Sequence, residues 1–210
     1  MFRYHIKNLN EISQTDLENL DILIRKSFPG SLTLSDIRQQ YMNVPFSVFF
    51  VKQQAVVMFC SLLFPSHPTL YLYYICVPKE FRSTGIFTRA LKYLKPLFMR
   101  QGYTKFGLDA SEEKNSHMNQ KKRIAIFLKM GFRLSPLKNP SPFIENTDPK
   151  TYVNTSVGVG ELVEQIGDDY IILLNGLRRP LKIHQIKGCV SDLSSLEPDL
   201  CPMIMTVGKN

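Results

Sequence analysis

The sequence predicts an α+β chain, a mixed α/β sheet with helices packed on it, continued by a β-rich C-terminal extension. Three observations carry that reading. Apolar, β-branched and aromatic residues crowd three consecutive segments between Phe46 and Val77, separated by polar or proline-containing breaks. At Gly85 the apolar period changes from two residues to 3.6, so a strand runs into an amphipathic helix. Beyond Lys150 strand-like runs return around Gly167-Asp168-Asp169, a good hairpin signal. We therefore expect an α/β domain over 1–149 and an extension over 150–210.

The first ten residues alternate Phe2, Tyr4 and Ile6 with Arg3, His5 and Lys7, which predicts an opening strand. Thr15 and Glu18 form a capping box ahead of Leu17, Leu20 and Ile24, and Pro29-Gly30 closes a helix over 15–28. A shorter helix is expected over 34–43, with Ile37 and Tyr41 on one face and Pro45 as its stop. Segments 46–52, 55–64 and 69–77 then read as an antiparallel meander. Phe87, Ala90, Leu91, Leu94, Leu97 and Phe98 form the apolar stripe of the next helix, with Arg89, Lys92 and Lys95 outside it. Pro96 is expected to kink or loosen its last turns, since it lacks an N–H and crowds the carbonyl four residues back. After Gly102, Tyr103 to Asp109 reads as a strand. Ser116 can cap a helix through Met130 that carries Ile124, Phe127 and Leu128 inward, with Gly131 as its left-handed end. Phe132-Arg133-Leu134 begins another strand, and the four prolines between Ser135 and Pro149 mark a loop. In the extension, 161–166, 170–174, 181–186 and 203–207 look like strands. Pattern leaves open whether they form a separate β subdomain or complete the main sheet.

The 210 residues are 44% hydrophobic, 21% charged and 11% aromatic, which excludes a disordered or fibrous chain. The longest apolar run, Ala55 to Phe64, falls well short of the about 20 residues that a membrane-crossing helix needs. The N-terminus lacks the apolar stretch of a secretory signal. A soluble, cytoplasmic protein without membrane contact is expected. Four cysteines, at 60, 76, 189 and 201, make no C-x-x-C pair and no cluster with zinc spacing, so no structural metal is expected. Cys60 and Cys76 sit in apolar runs, and buried thiols in a reducing compartment are the favoured reading.

The net charge of +8 is local. Residues 79–133 carry 13 Lys and Arg against 4 Asp and Glu, whereas the rest of the chain holds 13 against 14. A positive field confined to one stretch suits a compact polyanion at least as well as a polymer; nucleic acid stays a partner that is not favoured.

That stretch opens on Val77-Pro78-Lys79-Glu80-Phe81-Arg82-Ser83-Thr84-Gly85-Ile86-Phe87. A helix starting near Gly85 offers unpaired backbone N–H groups and the positive end of its dipole, and a turn over Arg82 to Thr84 can curl further N–H groups around one centre. This is a diphosphate cradle. Gly85 has no Cβ to hold a phosphate off, Ser83 and Thr84 can add hydroxyl donors, and Arg82 adds charge. Arg89, Lys92 or the Lys121-Lys122-Arg123 cluster could meet a further phosphate. Each cation alone reads more simply as part of a solvated helix face, and the loop as a whole reads better as a phosphate site than as a plain turn.

The junction, set in the element order β-α-α-β-β-β-α-β-α-β, resembles the GNAT superfamily of acetyl-CoA-dependent N-acetyltransferases. The phosphate loop of that family reads Arg or Gln, two residues, Gly, one residue, then Gly or Ala, after a strand ending in Val. Phe127-Leu128-Lys129-Met130-Gly131-Phe132 resembles the Tyr-x-Lys-x-Gly-Phe end of the family's following helix. The resemblance spans residues 2–134. It implies a GNAT-like acyl-CoA N-acyltransferase fold, acetyl-CoA or another acyl-CoA as cofactor, and a small-molecule or peptide amine as acceptor. It gives Ile75, Cys76 and Val77 backbone roles along the pantetheine arm, places Arg82, Ser83, Thr84, Gly85, Ile86 and Phe87 at the diphosphate, and adds Asn119 to the cofactor site.

Two positions depart from the family pattern. Phe87 stands where the loop has a third small residue, so its ring must turn onto the helix stripe. Phe127 stands where the family's tyrosine protonates the departing thiolate, and phenyl has no proton to give. Transfer to an amine needs donors for the oxyanion and a route for the amine proton, and a positioned acid or base contributes about 10²- to 10⁴-fold. Backbone N–H groups near Val77 can serve the oxyanion. Tyr71 lies where some family members carry a basic carboxylate. Tyr71, Tyr73 and Tyr74 are candidate donors, although strand tyrosines are more often packing residues. His117 is the remaining candidate, since a histidine can exchange a proton near neutrality; a plain surface histidine is its simpler reading.

The leading expectation is an acyl-CoA-dependent N-acyltransferase working by direct attack, without a cysteine nucleophile. The alternatives are a GNAT-like module that binds CoA or a partner without turnover, and transfer of a longer acyl chain from an acyl carrier protein docked on the basic face.

Overall fold

The computed structural model describes residues 3–8, 11–27, 45–51, 54–64, 67–111, 119–138, 148–197 and 199–207. Contacts gather the chain into two compact units, Met1–Phe106 with Val207–Asn210, and Gly107–Thr206.

In the first unit, strand β1 (Arg3–Asn8) precedes helix α1 (Gln14–Ser27), and β2 (Pro45–Val51), β3 (Gln54–Phe64) and β4 (His67–Cys76) follow. The order β1-β2-β3-β4, each pair antiparallel, is the meander that the period-two segments predict, with boundaries shifted by one or two residues. The helix expected over 34–43 lies outside the described residues. Helix α1 starts earlier than the Thr15 box places it. Ser13 accepts from the Asp16 amide at 3.2 Å through its hydroxyl, which donates back to the Asp16 carboxylate at 2.7 Å. Glu18 instead accepts from the Gln14 side chain one turn before it. The helix packs against β3 and β4 and buries Leu17, Leu20, Leu23 and Ile24, each worth on the order of 2 kcal/mol of transfer free energy.

A short 3₁₀ turn (Lys79–Phe81) leads from β4 to helix α2 (Ile86–Arg100). Ile86, Phe87, Ala90, Leu91, Leu94 and Phe98 form its buried stripe. Phe98 meets the rings of Tyr103 and Phe106 edge-on at 5.8 and 6.2 Å. The helix runs through Pro96 to Arg100, with Pro96 on its exposed side, so the proline's missing bond does not end it.

In the second unit, β5 (Lys105–Ala110), which crosses the division, is followed by α3 (Gln120–Lys129) and β6 (Arg133–Leu134). Then come β7 (Tyr152–Thr155), β8 (Gly158–Ile166), β9 (Asp169–Leu174), β10 (Leu177–Lys182), β11 (Ile186–Val190) and β12 (Cys201–Thr206). Strand β12 lies between β5 and β6 and runs antiparallel to β6, while β10-β9-β8-β7-β11 form a separate five-stranded antiparallel sheet. The single strand expected over 181–186 is two strands broken by a 3₁₀ turn (Ile183–Gln185), in which the Gln185 side chain accepts from the Lys182 amide at 2.8 Å.

Helix α3 is capped by Asn119, whose side chain accepts from the Lys122 amide at 3.0 Å, rather than by Ser116, which lies outside the described residues. Its far end matches the expectation at Gly131, which has φ 94°. The Gly131 amide donates to the Leu128 carbonyl and the Phe132 amide to the Phe127 carbonyl, the paired bonds of a Schellman ending. Cys76 is a buried thiol, as its apolar run predicts, and Cys189 and Cys201, for which the sequence predicts no pairing, are joined in a disulfide with a Cα separation of 5.2 Å.

Candidate functional site

The site grows from the end of β4. Strand β3 advances two residues between Met58 and Cys60 while β4 advances three, from Ile75 to Leu72, so β4 carries a bulge at Tyr73-Tyr74. In a regular strand Tyr71 and Ile75 would share a face; the extra residue puts them on opposite faces and sets Tyr71 with Cys76. Tyr71 and Cys76 are buried, while Ile75 and Val77 are half-buried. No sequence signal announced the bulge, because its effect on alternation hides among residues that are apolar on both faces.

The chain then folds back over the strand end. Arg82 donates through Nε to the Val77 carbonyl at 3.2 Å, tying the loop to the residue that ends the strand. The Arg82 amide donates to the Lys79 carbonyl and the Thr84 amide to the Phe81 carbonyl. The Thr84 hydroxyl also donates to the Phe81 carbonyl, at 2.6 Å, so its proton is spent inside the loop. Arg89 donates to the Thr84 carbonyl at 3.2 Å.

What remains is a set of amides without an acceptor among the described residues. Ser83 and Gly85 are both left-handed, with φ 63° and 71°, and Gly85 is the N-cap of α2. Among the described residues the amides of Ser83, Gly85, Ile86 and Thr88 donate to no backbone or side-chain acceptor. Alternation of handedness in a turn at a helix N-terminus gathers such amides into an anion-binding concavity. Ser83, Thr84 and Gly85 are exposed, and a Cβ built on Gly85 would meet nothing within 4 Å, so a ligand can approach from that side. Phe87 turns inward with the stripe of α2 and leaves the loop open.

The other candidates stand as follows. Asn119 is exposed at the start of α3 in the second unit, with its Oδ1 engaged by Lys122. Of Lys121, Lys122 and Arg123, the two lysines are exposed, while Arg123 is drawn to the end of β5 by bonds to the Ser111 carbonyl and hydroxyl at 3.1 and 2.8 Å. The Tyr73 side chain and His117 lie outside the described residues. Phe127 packs its ring against Phe132 at 5.8 Å, which is the apolar contact that accompanies a Schellman ending.

Neither a protein-family model nor a curated protein sequence matches the chain. Solved structures do. The ribosomal-protein-S18-alanine N-acetyltransferase of Escherichia coli aligns over 100% of this chain and 96% of its own, with a TM-score of 0.55 and 10% identity. An aminoglycoside 6'-N-acetyltransferase complexed with coenzyme A aligns over 98% of both chains, with a TM-score of 0.56 and 12% identity. A GNAT family acetyltransferase from Elizabethkingia anophelis with acetyl-CoA bound aligns over 98% and 97%, with a TM-score of 0.52 and 14% identity. At these identities the likeness is one of fold.

Proposed function

We propose that this chain, which has the fold of the GNAT acetyltransferases, is an acyl-CoA-dependent N-acyltransferase that transfers acetyl to an amine. The observation that carries the reading is the set of open amides at Ser83, Gly85 and Ile86, gathered at the positive end of α2. A diphosphate there would be met by backbone donors at fixed positions, which lose little entropy on binding. Arg82 supports the cradle by tying it to Val77, and Ser83 keeps a hydroxyl available beside it.

Acyl-CoA would supply an activated thioester as substrate. The amine nitrogen attacks the acyl carbon, the C–S bond breaks, and the thiolate leaves and takes up a proton. The chain's part is to place the thioester along the end of β4, where the bulge at Tyr73-Tyr74 interrupts regular pairing, and to move the two protons. Tyr71 and Tyr73 on β4, and His117, remain our proposed donors and acceptors.

Acetyl-CoA should raise the melting temperature of the wild-type chain, and Gly85→Glu should abolish that shift by placing a carboxylate where the anion sits. Thiol release measured across amines, peptides and polyamines then identifies the acceptor class. Equal acetyl-CoA stabilisation of wild type and variant would sink the assignment. A second reading, a module that binds CoA without turnover, is favoured by Phe127, whose ring serves the helix ending and has no proton to offer. Binding with no thiol release from any acceptor selects it.

A further inference from the structure

Helix α3, in the second unit, carries no acidic residue, and its exposed arc sets two apolar side chains among cations. Ala125 lies one turn from both Lys121 and Lys129, and Ile126, 38% exposed, lies one turn beyond Lys122. Among the described residues the three lysines make no ion pair, whereas Arg123 on the flank of the helix is spent on Ser111.

The same unit presents the opposite pattern on the loop between β11 and β12. Leu193 and Leu196 are 55% and 74% exposed, and the exposed acids Asp192 and Glu197 flank them. From Ser191 to Leu200 the loop carries three carboxylates and no cation. It is also held in one shape. The Cys189–Cys201 bridge closes its base, the Asp192 carboxylate accepts from the Ser194 and Ser195 amides at 2.7 and 2.8 Å, and Lys138 pairs with the Asp199 carboxylate at 3.1 Å. Gln120, the buried first residue of α3, donates to the Asp199 carbonyl and accepts from the Cys189 amide at 3.0 Å, which fixes the neck of the loop beside the start of the helix. A loop so fastened loses little conformational freedom when it docks.

We infer that the loop and the outer arc of α3 are halves of one self-complementary patch, through which two copies of the chain pair about a two-fold axis. Leu193 and Leu196 of each copy cover Ala125 and Ile126 of the other, and the flanking acids meet the lysines around them. A second copy fits because each half has its complement, in charge and in paired apolar side chains, on the same unit. Both halves are offered by every copy, so the two contacts form together and close the dimer. The inference stands apart from the acyl-CoA reading and uses no residue of the cradle.

Sedimentation equilibrium of the full chain with its disulfide intact should show a monomer–dimer equilibrium that weakens as salt rises. Glu197→Lys sets a cation against cations in both contacts, and Lys121→Glu/Lys129→Glu sets carboxylates against carboxylates; each alone should weaken dimerisation about tenfold or more. In an equimolar mixture of the two variants, one contact keeps the native charges and the other has both sides reversed. That mixture should therefore dimerise to within about threefold of wild type. Wild type that stays monomeric up to about 1 mM, variants that pair as wild type does, or a mixture no better than its components would each overturn the inference. Should a charge variant not fold, Leu193→Ser/Leu196→Ser decides the matter: it should be a monomer with a wild-type melting temperature, and a dimer as tight as wild type overturns the inference.

Discussion

Ser83 occupies a left-handed conformation that costs a residue with a Cβ roughly 1–2 kcal/mol. Nothing in the described fold rewards it locally, since the side chain is exposed. The reward is the open amide. Ser83→Gly should therefore raise stability by about 1 kcal/mol in a denaturant melt while leaving acetyl-CoA binding within a few-fold. A loss of stability would show that the serine hydroxyl holds the loop. Gly85 was legible in the sequence as a residue needing freedom before a helix. The division of labour around it was not. Whether Thr84 points its hydroxyl at a ligand or at the Phe81 carbonyl depends on a turn three residues long, and composition carries no record of it. Phe127 was legible as a departure from the family pattern, and the packing on Phe132 gives it a structural reason.

At the scale of elements, strong periodicity translated directly into structure. The stripe of α2 and the meander of β1 to β4 lie where their patterns put them, because both depend on long runs of apolar residues at one period. Failures cluster where short polar features decide. The α1 cap moved to Ser13, because two competing Ser/Thr boxes lie within three residues. Strands β7 and β11 are only four and five residues long, and the 3₁₀ turn over Ile183–Gln185 lies in Leu-Lys-Ile-His-Gln-Ile, whose opening alternation reads as one strand. The Asn175-Gly176 pair does carry a turn signal, and both residues are left-handed between β9 and β10. Packing in that sheet is tight at Gly160, where a Cβ would come within 2.8 Å of the Leu173 carbonyl oxygen. Gly160→Ala should cost about 1–3 kcal/mol, measured as a lowered denaturation midpoint at unchanged slope. An unaffected midpoint would mean that β8 and β9 can part without loss.

At the scale of the whole chain, the pH response should report the anchor at the start of β7. Tyr152 donates to the Asp148 carboxylate at 2.6 Å. That bond, with the Lys150 amide, holds Asp148 below the usual carboxylate range, while the same bond and burial push Tyr152 up to about 12. A lowered carboxylate stabilises the fold above its unfolded pKa and loses that contribution as pH falls; a raised phenol stabilises it below about 10 and loses it as pH rises toward 12. The melting-temperature gap between wild type and Tyr152→Phe should be widest between about pH 5 and 9 and close on both sides. A gap independent of pH would remove the anchor. The concentration of positive charge over 79–133, by contrast, bears on ligands rather than on the fold. The most direct measurement of what that charge serves is calorimetric titration of wild type and Gly85→Glu with acetyl-CoA. Wild type should bind saturably, and the carboxylate at position 85 should eliminate that binding. Equal binding by both proteins, or none by wild type, would contradict the diphosphate cradle.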